Sequence, residues 1–600
     1  MKLQNIVFPE EGICLDYEMY FRIPTKKSYS QEKGCLYLDK DEWAHFDTYF
    51  NGFFPCKWKK YTKVSNLSLN LRFKGRLNVE IVYTEREPDG FCKIEVLREV
   101  ELNSDRIKTQ TIPIGDISDE KIHMYSFSIQ SSKYESEIYG GYYSTKIEDD
   151  EVRPVKIGLA ICTFKREQFI KKNVDNICKN ILDNSASEIK NGIEVFIADN
   201  GNTLTGTKEI VHENVYIYPN KNVGGAGGFS RCLIEIMKSD RGITHALLMD
   251  DDIVFDTEVL FRTYTVLSLL KEEYYGASIG GAMLRLDNQN IQIESGAIWN
   301  KGAIMSLKRG LNLVHTEACL FNDIEESAQY NAWWFSAIPT DVITPENLPL
   351  PIFIRGDDVE YGIRNFKKVI HMNGICVWHE PFENKYSSFL YYYIFRNRLI
   401  NNSIHSISYS KEDLINDLRE HWKNEVLRCR YKNASLLLHG VDEFLNGIDY
   451  FKGIDGEAKH KEVMSLGYKV TRVDQFETPF TYGTYDAFLH RAPDEMTKLK
   501  RLMGIAILPP NRDIAVPLFN PDVRLFFRAD TIFNYDYATG KGFVTKSDRK
   551  EFFRQLKCYR ATVKNIYKNY DRIVKEFQER GQELMALDFW ESYLESQKST

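Results

Sequence analysis

Apolar and polar residues alternate with period two in the first quarter of the chain. Leu67, Leu69, Leu71 and Phe73 form one run, and Leu77, Val79, Ile81 and Tyr83 form a second after Lys74-Gly75. Strand side chains point alternately to opposite faces, so two such runs around a glycine predict a hairpin with one buried face. Further strand-like runs lie near residues 93–101 and 124–129. No long helical period interrupts residues 1–150, and a β-sandwich domain is expected there. The polar, acidic stretch 144–154 ends in Pro154 and reads as a linker.

From residue 151 to 400 the pattern changes. "VKIGLAICTF", "IEVFIADN", "NVYIYPN" and "HALLMDDD" are apolar strand runs, and "REQFIKKNVDNICKNIL" and "FSRCLIEIMKS" have helical spacing. This βαβ rhythm predicts an α/β domain with a mostly parallel, Rossmann-like sheet and ligands at the carboxyl ends of its strands. Residues 401–600 are read as a mainly helical domain. Near its end, Phe552, Leu556, Tyr559, Val563, Ile566, Tyr570, Ile573 and Phe577 recur at steps of three and four, beside an offset basic stripe that includes Lys557, Lys564 and Lys568. The apolar stripe suits a core or a contact with a second copy of the chain, and a homo-oligomer is expected. The basic stripe is either a solvated face or a peripheral contact with an anionic membrane.

Composition narrows the field. Of 600 residues, 43% are hydrophobic and 27% charged, an ordinary globular balance. The net charge of −7 leaves no basic field for nucleic acid, so none is expected as a partner. No apolar stretch approaches the roughly 20 residues of a spanning helix. The start lacks the long apolar segment of a secretory signal, and the 11 cysteines show no pairing or zinc pattern. A cytoplasmic location is expected, including the inner face of the cell membrane. The aromatic fraction of 13% suits sugar stacking, and it suits a large core as well.

Candidate chemistry gathers in the α/β region. Asp250, Asp251 and Asp252 follow an apolar run at the end of an expected strand. Hard carboxylate oxygens at this spacing can hold Mn²⁺ or Mg²⁺, and a solvated acidic turn is the plain alternative. Asp357 and Asp358 follow a second apolar run and Gly356; a carboxylate there is a candidate general base, or a favourable charge at a helix start. His379, after a short strand, is either a packed histidine or a further metal ligand. Gly224, Gly225, Gly227 and Gly228 precede a helix without completing a P-loop or a GxGxxG fingerprint. Their backbone can approach a phosphate closely, or they form a flexible loop. Trp333 and Trp334 suit a sugar site or the core.

The order "ICTFKRE", "IADNGN", "NVGGAGGFSR", "MDDDI", "YNAWW", "FIRGDDVEYGIR", "VWHEPF", "YYYIFRNR" resembles glycosyltransferase family 2, and within it the bacterial galactofuranosyltransferases that polymerise cell-wall galactan. "TYFNGFFPCKWKKYT" in the first region is similar to the same group. The resemblance implies a GT-A catalytic domain and an inverting, metal-dependent transferase. It implies a UDP-sugar donor, expected to be UDP-galactofuranose, and a glycan or polyprenyl-linked glycan acceptor. It places Arg166 and Asp199 on the uridine, and the Gly224–Gly228 segment and Arg231 along the nucleotide-sugar. Asp250 and Asp252 fall on the metal and ribose acids, with His379 as a further ligand. Asp358 falls on the base, Trp333 and Trp334 on the sugar site, and Glu294 on the acceptor side; Asp251 and Asp357 accompany their clusters. Gly356 and Ile394 stand where polymerising members carry Trp and His, so neither the acceptor nor repeated addition follows. The alternatives are a relative using UDP-galactopyranose or a rhamnose nucleotide, and an inactive carbohydrate-binding protein.

Overall fold

The two alternating runs around Gly75 lie in one strand. The first region contains β1 (Lys2–Ile6), β2 (Tyr29–Ser30), β3 (Cys35–Leu38), β4 (Trp43–His45), α1 (Pro55–Tyr61), β5 (Asn66–Arg86), β6 (Cys92–Asp116), β7 (His123–Ser131) and β8 (Ser136–Ser144). β5 passes unbroken through Gly75, and its hairpin partner is β6, across residues 87–91. The glycine is needed for a bulge and not for the expected turn. The register slips between Phe73 and Gly75, φ is 112°, and a Cβ would lie 2.9 Å from the Ser136 Cα. The other edge of β5 is shared, its first half pairing with β8 and its second with β7. These ladders join the strands into one continuous antiparallel sheet, β2-β3-β8-β5-β7-β4, with β1 on β8 and β6 on β5. The pairing therefore differs from a sandwich of two separate sheets, because the 21-residue β5 spans both halves.

The computed structural model describes residues 1–25, 28–132, 135–204, 210–476 and 507–595. Its second region runs β9 (Ile157–Thr163), α2 (Glu167–Ile177), β10 (Ile193–Asp199), β11 (Val215–Pro219), α3 (Gly224–Lys238), β12 (His245–Asp250), α4 (Glu258–Leu269), β13 (Ser278–Arg285), β14 (Gln292–Glu294), β15 (Ala297–Asn300), β16 (Ala303–Ser306), α5 (Thr316–Asp323), β17 (Ser336–Pro339), α6 (Asp357–Asn365) and β18 (Val369–His379). The main sheet has the order β11-β10-β9-β12-β17-β13-β14, with β18 on β13. Pairing is parallel from β11 to β12 and between β13 and β18, and antiparallel on either side of β17. Period two sorts the core. Leu159, Ile161, Val195, Ile197, Leu247 and Met249 pack on one face with α2, α4 and the N-terminal sheet. Ala160, Phe196, Ala198, Ala246 and Leu248 pack on the other with α3. Both faces are covered, which is why these strands read as continuous apolar runs.

The last region contains α7 (Leu390–Ile404), α8 (Lys411–Leu427), α9 (Tyr431–Phe444), α10 (Ile448–Lys452), α11 (Gly456–Leu466), β19 (Thr471–Arg472), β20 (Arg512–Pro517), β21 (Ala529–Asp536), β22 (Lys541–Lys546), α12 (Arg549–Arg580) and α13 (Leu587–Glu595). Helices dominate it, and it also carries a four-stranded sheet, β19-β22-β21-β20, that the helical reading did not include. α13 returns to the main sheet: Trp590 is fully buried and donates its indole N–H to the Pro349 carbonyl at 2.8 Å. No described helix is long and apolar enough to cross a membrane.

Candidate active site

The acidic triplet ends β12, and its neighbours come from the ends of other strands. Thr163 closes β9, Asp199 closes β10 and His379 closes β18. Convergence at the carboxyl edge of the sheet follows from the parallel pairing. Ligand atoms of Asp250, Asp252 and His379 lie within 4.8 Å of one another. His379 Nδ1 donates to the Glu380 carbonyl at 2.7 Å, which leaves Nε2, 3.1 Å from Asp252 Oδ1, as the nitrogen a metal ion would take in place of its proton. Two carboxylates and a neutral imidazole suit Mn²⁺ or Mg²⁺, so the residues fit the expected ion.

Cations of the chain already surround the triplet. Arg166 reaches Asp252 Oδ2 at 2.8 Å and Asp251 Oδ1 at 3.0 Å, and Lys385 reaches Asp252 Oδ2 at 3.2 Å. Thr163 donates to Asp251 Oδ2 at 2.6 Å. The electrostatic consequences differ between neighbours. Burial pushes Asp250 up to about 7; His379 opposes this and the like charges of Asp252 and Asp251 add to it. Burial also pushes Asp252 upward, but the His379 hydrogen bond and the charges of His379, Arg166 and Lys385 outweigh it and hold the carboxyl below its usual range. For His379 burial acts downward, and Asp252 and Asp250 together raise it.

The second acidic cluster opens α6. Gly356 caps the helix with φ 100°, and Asp358 Oδ1 accepts its own helix's Val359 N–H at 2.8 Å. Burial raises Asp358; the backbone N–H groups and the Arg355 guanidinium act the other way. Asp357 is raised more strongly, by burial and by Asp358, with Asp250 contributing. The two acidic clusters thus sit within electrostatic reach of one another. Glu294, at the end of β14, is pushed up to about 7 by burial, and Asp358 is among the charges acting on it. Ser306 donates a short hydrogen bond to Glu294.

The glycine segment is the first turn and a half of α3, not a loop. A Cβ on Gly224 would lie 1.9 Å from the Phe353 carbonyl oxygen, and Gly224 has φ 76°. A Cβ on Gly227 would meet Val223 at 1.8 Å, and one on Gly228 would meet Cys162 Sγ at 2.0 Å. Gly225 alone of the four has room: its Cβ would face Asp357 Oδ2 at 3.6 Å. The helix therefore starts against β9 and the Asp357 loop, with Gly225 on the site.

Four expected residues sit differently from their expected roles. Asp199 is fully buried and accepts the backbone N–H groups of Gly201 and Leu204 at 3.1 and 2.7 Å, so its carboxylate shapes its own turn. Arg231 lies two turns into α3, about 10 Å along the axis from the glycine start. It pairs with Glu235 at 2.8 Å and stacks over Tyr218, away from the acidic clusters. Trp333 packs edge-on to Phe229 and Tyr361, and Trp334 donates to the Gly281 carbonyl at 2.9 Å; both are core residues. Short-range patterns show that a residue is polar or aromatic, but not which side of an element it faces. Lys385, Thr163, Asn200, Asn397 and Asn401 also build the site, and none was expected from sequence. Asn200 donates to the Gly224 carbonyl at 3.0 Å, locking β10 to the start of α3. The motifs "IADNGN" and "YYYIFRNR" carried two of these amides, but amides give no spacing signal of their own.

A family model described as galactofuranosyltransferase 2 N-terminal matches residues 3–152. The galactofuranosyltransferase GlfT2 of Mycobacterium tuberculosis is 23% identical over 491 residues, covering 75% of this chain and 73% of that protein. GlfT2 of Mycolicibacterium smegmatis is 22% identical over 488 residues, covering 74% and 71%. Among solved structures, the mannosyltransferase PcManGT of Pyrobaculum calidifontis, in complex with GDP-Man and Mn2+, is 11% identical over 54% of this chain and 84% of its own; the TM-score of 0.26 carries no argument. The chain resembles galactofuranosyltransferases through residues 3–152 and over three quarters of its length, and is accordingly an enzyme of the glycosyltransferase class.

Proposed function

We propose that the protein is an inverting galactofuranosyltransferase that moves the sugar of UDP-galactofuranose to a hydroxyl of a glycan or lipid-linked glycan in cell-surface polysaccharide assembly. The observation that carries this reading is the meeting of Asp250, Asp252 and His379 within 4.8 Å at the sheet edge, with Asp358 on the facing helix start. A divalent cation held by Asp250, Asp252 and His379 would supply positive charge where the departing diphosphate gathers negative charge. Arg166 and Lys385, now on Asp252 and Asp251, stand ready to share that anion. Gly225 leaves backbone open to the donor at the start of α3.

Inversion needs one base on the side opposite the leaving group. Asp358 takes the proton of the acceptor hydroxyl as its oxygen bonds to the anomeric carbon. The bond from that carbon to the diphosphate oxygen breaks, and UDP leaves with the electron pair. A base of this kind contributes about 10²–10⁴-fold. Glu294, buried and raised toward neutrality, would serve the acceptor hydroxyl as a hydrogen-bond donor on this reading. The division into an N-terminal domain (1–150), a GT-A catalytic domain (151–400) and a mainly helical C-terminal domain (401–600) belongs to the same proposal. The test is a panel of UDP-galactofuranose, UDP-galactopyranose and a rhamnose nucleotide with linkage analysis of products. Faster transfer from either of the other donors overturns the donor assignment, and absence of transfer from all three overturns the transferase reading.

A further inference from the structure

The strap from Ile352 to Gly356 leads into α6 and decides where Asp358 points. Its backbone adopts a conformation that L residues rarely take. Phe353 and Arg355 have φ of 72° and 67°, and Gly356 follows at 100°. Residues of this kind persist only where the surroundings over-determine them, and here the surroundings can be named. Each carbonyl of the strap is held from outside it. The Ile352 carbonyl accepts from Arg396 Nη2 at 2.8 Å and from Asn397 Nδ2 at 3.3 Å. The Phe353 carbonyl accepts the Ala226 N–H at 3.4 Å, from the glycine-rich start of α3. Asn397 Nδ2 also donates to the carbonyls of Ile354 and Arg355, at 2.8 Å each. Asn401 Nδ2 donates to Gly356 at 2.9 Å.

Asn397 and Asn401 lie one turn apart on the same face of α7, and Arg396 precedes Asn397, about 100° round the helix. Arg396 is anchored in turn. Its Nη1 lies 3.2 Å from Glu443 Oε1 on α9, with both side chains almost fully buried. Tyr392 donates to the same oxygen, and Lys459 reaches Glu443 Oε2 at 3.1 Å. A buried pair of this kind adds little to stability for its cost, and its value lies in fixing one geometry. The chain of contacts runs α9, Glu443, Arg396, strap, Asp358.

We infer that Asn397 and Arg396 are positioning residues for the base. They hold the strap in its left-handed conformation and thereby aim the Asp358 carboxylate, and their own hydrogen bonds go to the strap, to each other, and to Tyr392 and Glu443. The helical C-terminal region is on this account part of the catalytic apparatus through Glu443. The inference rests on the reading of Asp358 as the base, and the test separates the two.

The experiment uses the full chain with UDP-galactofuranose, Mn²⁺ and a glycan acceptor. Turnover and calorimetric UDP binding are compared for wild type, Asn397→Ala, Asp358→Asn and the double variant. A small misplacement of a reacting group costs on the order of 10²-fold. The expected result is that Asn397→Ala lowers kcat by at least about 10-fold with UDP affinity essentially unchanged, and that the double variant is no slower than Asp358→Asn alone. Wild-type kcat in Asn397→Ala, or a further loss in the double variant equal to the Asn397→Ala loss, overturns the inference. Near wild-type turnover in Asp358→Asn overturns the base reading, and the inference with it. Should Asn397→Ala lose UDP binding, Asn401→Ala decides: it removes the side-chain donor to the Gly356 carbonyl, which keeps the Glu360 N–H at 3.0 Å. Reduced kcat with intact UDP binding supports the inference, and unchanged kcat with intact binding overturns it.

Discussion

Gly224, Gly225, Gly227 and Gly228 look alike in sequence and answer to different constraints. Gly228 is closed by Cys162 Sγ, 2.0 Å from where a Cβ would sit, whereas Gly225 faces only Asp357 Oδ2 at 3.6 Å. Gly228→Ala should therefore destabilise the fold by about 1–3 kcal/mol through overpacking. Gly225→Ala should leave stability unchanged or raise it, since Ala outranks Gly in a helix by about 1 kcal/mol, and should show its cost in UDP binding. Thermal melts of both variants check this; equal melting temperatures would contradict it. A second residue-scale prediction concerns His245. It is fully buried on β12, accepts from or donates to Thr244 Oγ1 at 2.8 Å through Nδ1, and burial holds its pKa down at about 3. The unfolded chain binds this proton near 6.5 and the folded chain near 3, so the stability it lends is full above 6.5 and is lost as pH falls through that window. The advantage of wild type over His245→Gln should shrink from pH 7 to pH 4, by at most about 1.4 kcal/mol per unit. A gap in denaturant midpoint that stays constant with pH would refute it. Legibility at this scale was uneven. Asp250, Asp252 and His379 come together, and Asp358 opens a helix, where their type and position in the sequence suggested. Asp199 and Arg231 are charged as well, with opposite signs, and spend that charge on their own turn and helix, which only the fold reveals.

Elements were read more securely than their boundaries. β9 to β12 and the helix opening at Asp357 match apolar runs and an acidic first turn, whereas β13, β14 and β17 went unread. The hairpin at Gly75 did not match, because a glycine inside an alternating run marks a bulge as readily as a turn. The short strands β19 to β22 escaped a reading that summed a helical period over the whole last third. α12 resolves one of its two stripes. Phe552, Ile566, Tyr570, Ile573 and Phe577 are buried in the C-terminal core. Lys557, Arg560, Lys564 and Lys568 are exposed on its outer side, free of ion pairs among the described residues, beside exposed Phe553 and Tyr567. Each basic group near an anionic surface is worth roughly 1 kcal/mol and is screened by salt. The full chain should co-sediment with anionic vesicles at low salt, less so with neutral ones, and the Lys557, Lys564 and Lys568 to Glu variant should lose that preference. Identical behaviour of the two proteins makes the face simply solvated.

At the scale of the whole molecule, the regions read separately along the sequence interlock around the main sheet. The N-terminal sheet packs on one face of the main sheet: Arg262 of α4 donates to the Phe50 carbonyl at 2.7 Å, and Glu258 of the same helix accepts from Asn5 Nδ2 at 2.6 Å. The C-terminal helices hold the strap before Asp358, and α13 closes over Pro349. Sequence pattern could suggest three regions but not this interlocking, which depends on contacts between residues 44 to 241 positions apart. Chelation should abolish transfer, and Asp252→Ala and His379→Ala should each weaken metal-supported UDP binding; full activity in excess EDTA would contradict the metal assignment. The account's central claim is a division of labour across the edge, with Asp250, Asp252 and His379 serving the diphosphate and Asp358 serving the acceptor. The most direct measurement is Asp358→Asn, assayed for Mn²⁺-dependent UDP binding and for sugar transfer in one preparation. The prediction is binding close to wild type and transfer reduced at least about 10²-fold; transfer near the wild-type rate would contradict it.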